Sequence, residues 1–292
     1  MFLRINDVPA GKAIIILQRF TPPMTKGTLG MIGCPILEDE MIYSLSTDDE
    51  DKDIYLVDSP QAHSIKRKLE LNGIAFTSVD EWDFDKGYYE IDDERFNVII
   101  IMNKLGLHSR PDELRSTIEG QIKWYRDRFD VIALYYGMCG NAGWDVSEWA
   151  SKKLRMPVFV FRGGDGEVCD DCIGVAVGGH SKYYAFVKKY TGMLYVTPAI
   201  AENWNDFAKE MNMLRGFEAL DIHSVKEMFQ LFGYKNMVKI DTGIGIKGDA
   251  LEEGFLRISE ITGLGPVTPE PGLTDMYPTD RIYREAKGAL RR

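Results

Sequence analysis

No apolar run in this sequence approaches the roughly 18 residues that a membrane-crossing helix needs, and no basic, apolar and small-residue succession at its start reads as a secretory leader. Membrane insertion is not expected, and a reducing cytoplasm is. Cysteine is scarce: there are four in 292 residues, Cys34, Cys139, Cys169 and Cys172. A chain of this length buries enough core to need no disulfide staples, so any role for these thiols is chemical or a matter of packing. Histidine is equally scarce, at four residues, and no second CxxC or HxxxH completes a zinc signature. Positive charge is in deficit, with 35 Lys and Arg against 45 Asp and Glu, a net −10. Such a surface repels polyanions, which removes nucleic acid from the expected partners.

What the sequence does hold is a recurrence of strand-length runs rich in Ile, Val, Leu and Tyr. They are "AIIILQRF" (13–20), "LGMIGC" (29–34), "IYLVD" (54–58), "FNVIIIM" (96–102), "DVIALYYG" (130–137), "PVFVF" (157–161), "MLYVTP" (193–198) and "MVKID" (237–241). Continuous apolarity of this kind suits strands buried on both faces. Amphipathic segments lie between them, at 59–73, 110–128, 145–154, 180–190, 202–214 and 224–233. Ser59 before Pro60 and Ser109 before Pro111 read as helix starts, and Gly73 and Gly233 as stops. The alternation predicts an α/β fold with a mostly parallel, Rossmann-like sheet flanked by helices, as one domain or two packed α/β halves. The organisation expected is an N-terminal extension over 1–28, a core over 29–262, and a tail over 263–292. That tail is Pro-rich, then basic, and is expected to wrap the surface or contact a second subunit. The acidic runs "TDDEDKD" (47–53) and "DEWDFDKGYYEIDDE" (80–94) read as solvated loops.

In a parallel sheet every strand opens its carboxyl end on one edge, so residues just beyond several strands converge there. Cys34 ends one apolar run, His108 and Cys139 follow two others, and Cys169 and Cys172 follow a fourth. Thiolate and imidazole donors gathered on one edge are what zinc requires. A lone cysteine in a small-residue turn is more often a buried small hydrophobe, so the shared placement carries the metal reading. The pair Cys169 and Cys172 also spells CxxC, which leaves open a redox-responsive dithiol. Asp170 and Asp171 between the sulfurs oppose thiolate formation.

The segments "LGMIGCPILEDEM", "LGLHSRPDELRSTIEGQI", "DVIALYYGMCGNAG", "DDCIGVAVGGHSKY", "LYVTPAI" and "MVKIDTGIG" follow one another as in a known family. The ordered set, from about residue 29 to 262, resembles the domain of unknown function family numbered 1638, found in methanogenic archaea and various bacteria. The family pattern maps onto Cys34, Leu107 and His108, Tyr136 to Gly140, and Cys172. It departs at one place, where the family's His before Asp-Cys is Asp170 here. The resemblance implies a Cys34, His108, Cys139, Cys172 constellation, with Cys169, Asp170 or His180 as further candidates. It also implies association with corrinoid-dependent methyl transfer, with the corrinoid reached through a partner protein or methyltransferase.

The loop "GMCGNAG" (137–143), with Gly137, Gly140 and Asn141, offers close backbone approach and outward amides to a bound anion or a metal-bound substrate. "GIGIKG", with Gly243, Gly245 and Gly248, formally spells GxGxxG but enters a Pro-rich tail, so a tight turn near a ligand edge is expected instead of a dinucleotide site. His180 is expected to orient a ligand from behind, and His63 and His223 to be solvated or capping. Tyr135, Tyr136, Tyr183 and Tyr184 read as core packing or as flanks of a flat cofactor. Together these residues predict a zinc-binding protein of methyl metabolism acting on a small thiol or methylated substrate. A non-catalytic metal-handling or corrinoid-accessory protein is the alternative from another class.

Overall fold

Three runs, GTLGMIG, FNVIIIM and VIALY, are buried along their entire length, and they form the centre of a parallel sheet. In the computed structural model, which describes residues 24–139, 144–210 and 221–291, strands β1 (Gly27–Gly33), β2 (Asp53–Asp58), β3 (Thr77–Asp80), β4 (Phe96–Met102), β5 (Val131–Tyr135) and β6 (Val158–Val160) pair in the order β3-β2-β4-β1-β5-β6. Every pairing among them is parallel. A second parallel sheet has the order β7-β8-β9, from β7 (Leu194–Val196), β8 (Asn236–Lys239) and β9 (Gly265–Val267). The predicted run at 13–20 lies outside the described residues.

Helices fill the crossovers. On the first sheet these are α1 (Glu38–Ser46), α2 (His63–Leu71), α3 (Glu81–Lys86), α4 (Pro111–Tyr125) and α5 (Val146–Leu154). Then α6 (Cys172–Ala176) and α7 (His180–Lys189) lead into the second sheet, which carries α8 (Pro198–Glu202), α9 (Trp204–Glu210), α10 (Ile222–Leu231) and α11 (Gly248–Thr262). One continuous apolar cluster runs from Leu114 and Ile118 of α4, through Ile99 and Ile132 of the first sheet, to Val196, Phe229 and Val238 around the second. The core is therefore two α/β halves packed on one another. No helix among the described residues is long and apolar enough to cross a membrane.

The tail departs from expectation. Rather than wrapping the surface, residues 277–288 form α12 (Tyr277–Gly288), whose Ile282, Tyr283 and Ala286 are buried with Met41, Leu56 and Ala133 on the opposite face of the first sheet. The first acidic run is not a solvated loop either. Asp48 accepts hydrogen bonds from the Tyr283 hydroxyl (2.8 Å) and Lys287 Nζ (2.5 Å), so it pins α12 in place. The second run folds in part: Asp80 caps α3, accepting from the backbone N–H of Trp82 and Asp83.

Candidate functional site

Three of the four cysteines reach one cavity by different routes. Cys34 follows β1 directly and stays extended, its N–H donating to the Tyr135 carbonyl (3.2 Å) before the short 3-10 turn Pro35–Leu37. Beyond β5 the backbone bonds to the segment before α6: Met138 N–H donates to the Cys169 carbonyl (3.0 Å) and Cys139 N–H to that of Asp170 (2.7 Å). A Cβ on Gly137 would overlap the Asp171 backbone, so only glycine permits this approach. The approach ends with Cys139 in the left-handed region, at φ 47°, uncommon for a residue with a side chain. It also sets Cys139 near Cys172, the first residue of α6.

Cys34, Cys139 and Cys172 line a cavity of about 730 Å³ between the two sheets. Burial first, and then the acids Glu38 and Glu40, push the Cys34 thiol up to about 12. Burial also raises the Cys139 and Cys172 thiols, and the mutual influence of the three sulfurs and the nearby Asp171 adds to it. All three are therefore held toward the neutral thiol at pH 7, with no cationic side chain among the described cavity residues to favour the thiolate. Among the described residues, no three His, Cys, Asp or Glu side chains stand together as a ready metal cage.

The other predicted residues are placed unequally. Cys169 is fully buried in the core cluster with Phe161 and Val175, does not line the cavity, and forms no disulfide. Burial pushes its thiol up to about 12. His108 belongs to the 3-10 turn Leu107–Ser109 beyond β4, beside the cavity-lining Ser109. Asp170 lines the cavity and holds the exposed His180, whose Nδ1 is 2.7 Å from its carboxylate; that contact raises the imidazole pKa. Gly140 and Asn141 lie outside the described residues. The GxGxxG loop sits elsewhere: a Cβ on Gly245 would strike Asp39, and the loop borders a separate pocket of about 330 Å³.

Two groups of cavity residues escaped the sequence reading. The first is Asp171, which caps α6, accepting from Gly174 N–H (2.9 Å) and the Tyr183 hydroxyl (2.8 Å); burial raises its carboxyl pKa. An Asp directly before a short helical stretch is a recognisable cap signal. The second is an aromatic wall of Tyr195, Phe207 and Tyr234 from the second sheet and its helices, which Tyr183 of α7, already singled out in the sequence, joins. Nothing local marks these aromatics. Of the other tyrosines singled out, Tyr136 joins the cavity, Tyr135 is core and donates to Ser44 (2.8 Å), and Tyr184 is exposed.

The family model described as "Protein of unknown function (DUF1638)" matches residues 102–276. The chain belongs to the DUF1638 family. The matched span takes in His108, Cys139, Cys169, Cys172 and the aromatic wall, and begins beyond Cys34. Cys34 therefore enters the site from the segment before the DUF1638 match, through the strand pairing of β1 with β4 and β5. No curated protein and no solved structure matches the chain.

Proposed function

We propose that this DUF1638 protein binds a thiophilic metal ion, zinc, through Cys34, Cys139 and Cys172 and acts on a small substrate in corrinoid-linked methyl metabolism. The observation that carries the reading is the convergence of three sulfurs, from segments distant in sequence, on one wall of a large cavity. Sulfur donors suit zinc. His108, beside Ser109, is the fourth candidate donor. When bound, zinc supplies Lewis acidity toward a substrate thiol at neutral pH.

The chain's own residues do the rest. The thiols give up protons on binding the ion, because burial keeps them protonated without it. Backbone pairing of 138–139 with 169–170 holds Cys139 at the wall, and Asp171 fixes the first turn of α6 and hence Cys172. A cavity of about 730 Å³ beside the thiols favours a substrate-binding role over simple metal carriage. The resemblance to corrinoid-associated relatives supports the metabolic setting.

Elemental analysis of anaerobically purified protein tests this. The expected result is about one zinc per chain, lost in Cys34→Ala, Cys139→Ala or Cys172→Ala and retained in Cys169→Ala. Full occupancy in each of the first three variants would reject the ligands. A carrier, in contrast to an enzyme, would surrender its ion to a mild chelator.

A further inference from the structure

The cavity has an uneven lining. Among the described residues around it there is no Lys, Arg or His, while two carboxylates, Asp170 and Asp171, are present. Asp170 has His180 as its partner. Asp171 is held only by neutral donors, Gly174 N–H and the Tyr183 hydroxyl. Tyr136, Tyr183, Tyr195, Tyr234 and Phe207 line the same cavity. Aromatic faces and an unneutralised carboxylate together attract positive charge, and a desolvated site strengthens both attractions. An anionic ligand would meet like charge and no counter-ion.

We propose that this cavity binds a compact organic cation bearing methyl groups, of the quaternary ammonium class, with Asp171 as its counter-ion and the tyrosine wall around its methyl shell. A bare ammonium would need several acceptors to replace its lost water. Much of the wall is aromatic or aliphatic instead. The Tyr195 hydroxyl donates to the Tyr190 carbonyl (2.9 Å), the Tyr183 hydroxyl is committed to Asp171, and the remaining surface includes Ile36, Leu194 and Ile200. A methylated cation has no N–H to satisfy and presents an apolar shell carrying positive charge, which matches aromatic faces. The volume, about 730 Å³, also leaves room for the rest of a larger molecule beside the thiols. The inference rests on the reading of this cavity as the functional site and requires no metal.

Isothermal titration of the full chain with choline, and with the uncharged analogue in which a tert-butyl group replaces the trimethylammonium, separates charge from shape. Both titrations are run on metal-depleted and zinc-loaded protein. Choline is expected to bind ~tenfold more tightly than the analogue, with Asp171→Asn removing that preference and Tyr234→Leu weakening choline ~threefold. Tyr234→Leu keeps apolar bulk and lies away from the helix cap, so it stands as a test even where Asp171→Asn perturbs α6. Equal affinity for the two ligands, no saturable binding of choline, or full choline affinity in both variants would overturn the inference. Choline binding to a chain that never takes up zinc would uphold it while rejecting the metal ligands. Zinc uptake without choline binding would do the reverse.

Discussion

Two buried polar regions beside α1 handle their charge in opposite ways. Below the thiol cavity, Lys68 of α2 stands 2.9 Å from Glu38, 2.6 Å from Asp39 and 2.7 Å from Glu202 of α8, and Arg67 adds a second cation at Glu202 (2.6 Å). Those carboxylates raise the Lys68 pKa against its burial. This cluster sets Lys68 and Arg67 against three carboxylates, of which burial still shifts Glu38 and Asp39 toward their neutral forms, and it ties the helices of the first sheet to the second. At the cavity, Cys34, Cys139, Cys172 and Asp171 are also shifted toward their neutral forms, but among the described lining residues no side chain of opposite charge meets them. A region whose carboxylates meet cations supplied by the chain itself reads as architecture. A region that leaves donors and a carboxyl group without countercharge is suited to an incoming ion. The comparison assigns the self-contained cluster to stability and the cavity to binding.

The sharpest way to break this assignment is to remove the only cation common to the three acids. Lys68→Met leaves Glu38, Asp39 and Glu202 facing one another, and it should cost about 3–5 kcal/mol in urea unfolding. A loss below about 1 kcal/mol would mean that the cluster does not hold the halves together.

Glu40 lies between the two regions. Burial first, then Asp39, pushes its carboxyl up to about 8, and its Oε2 has no hydrogen-bond partner. Between an unfolded value near 4.5 and a folded one near 8, the native chain holds a proton that the unfolded chain has released. This contribution to stability is therefore present at low pH and fades as pH rises through that window. Glu40→Gln removes it. The variant's stability should fall less steeply than the wild type's between pH 5 and pH 8, by about 1 kcal/mol per pH unit, as read from denaturation midpoints. Parallel pH profiles would show that Glu40 ionises freely in the fold.

The smallest expected effect concerns Cys139, held at φ 47°. Cys139→Ala removes the sulfur and keeps the strained backbone, whereas Cys139→Gly removes both. The Gly variant should be the more stable of the two by about 1 kcal/mol, although both should lose metal. An Ala variant as stable as the Gly variant would show that the position carries no strain.

Sequence reasoning reached the central strands because burial on both faces leaves unbroken apolar runs, as in "FNVIIIM". It missed β3 and β9 for the converse reason. Thr77–Asp80 buries only Val79, and Gly265–Val267 is an edge strand with Pro266 at its centre. It misread 277–288 because the Pro-rich stretch ahead of that segment masked the spacing of Ile282, Tyr283 and Ala286, which is that of one helical face. The thiols were visible as residues following strands, since edge convergence is a property of parallel sheets. The aromatic wall was not, because Tyr195 and Tyr234 belong to the second sheet and meet the thiols only when the halves pack.

The position of α12 bears on how the chain is made. Its apolar face covers β5 and β6, strands synthesised well over a hundred residues earlier, and Lys26 at the head of β1 pairs with Arg291 just beyond it. During synthesis the part of the first sheet at β5 and β6 lacks this cover until α12 leaves the ribosome. Newborn chains should accordingly be most in need of chaperone protection until α12 has emerged.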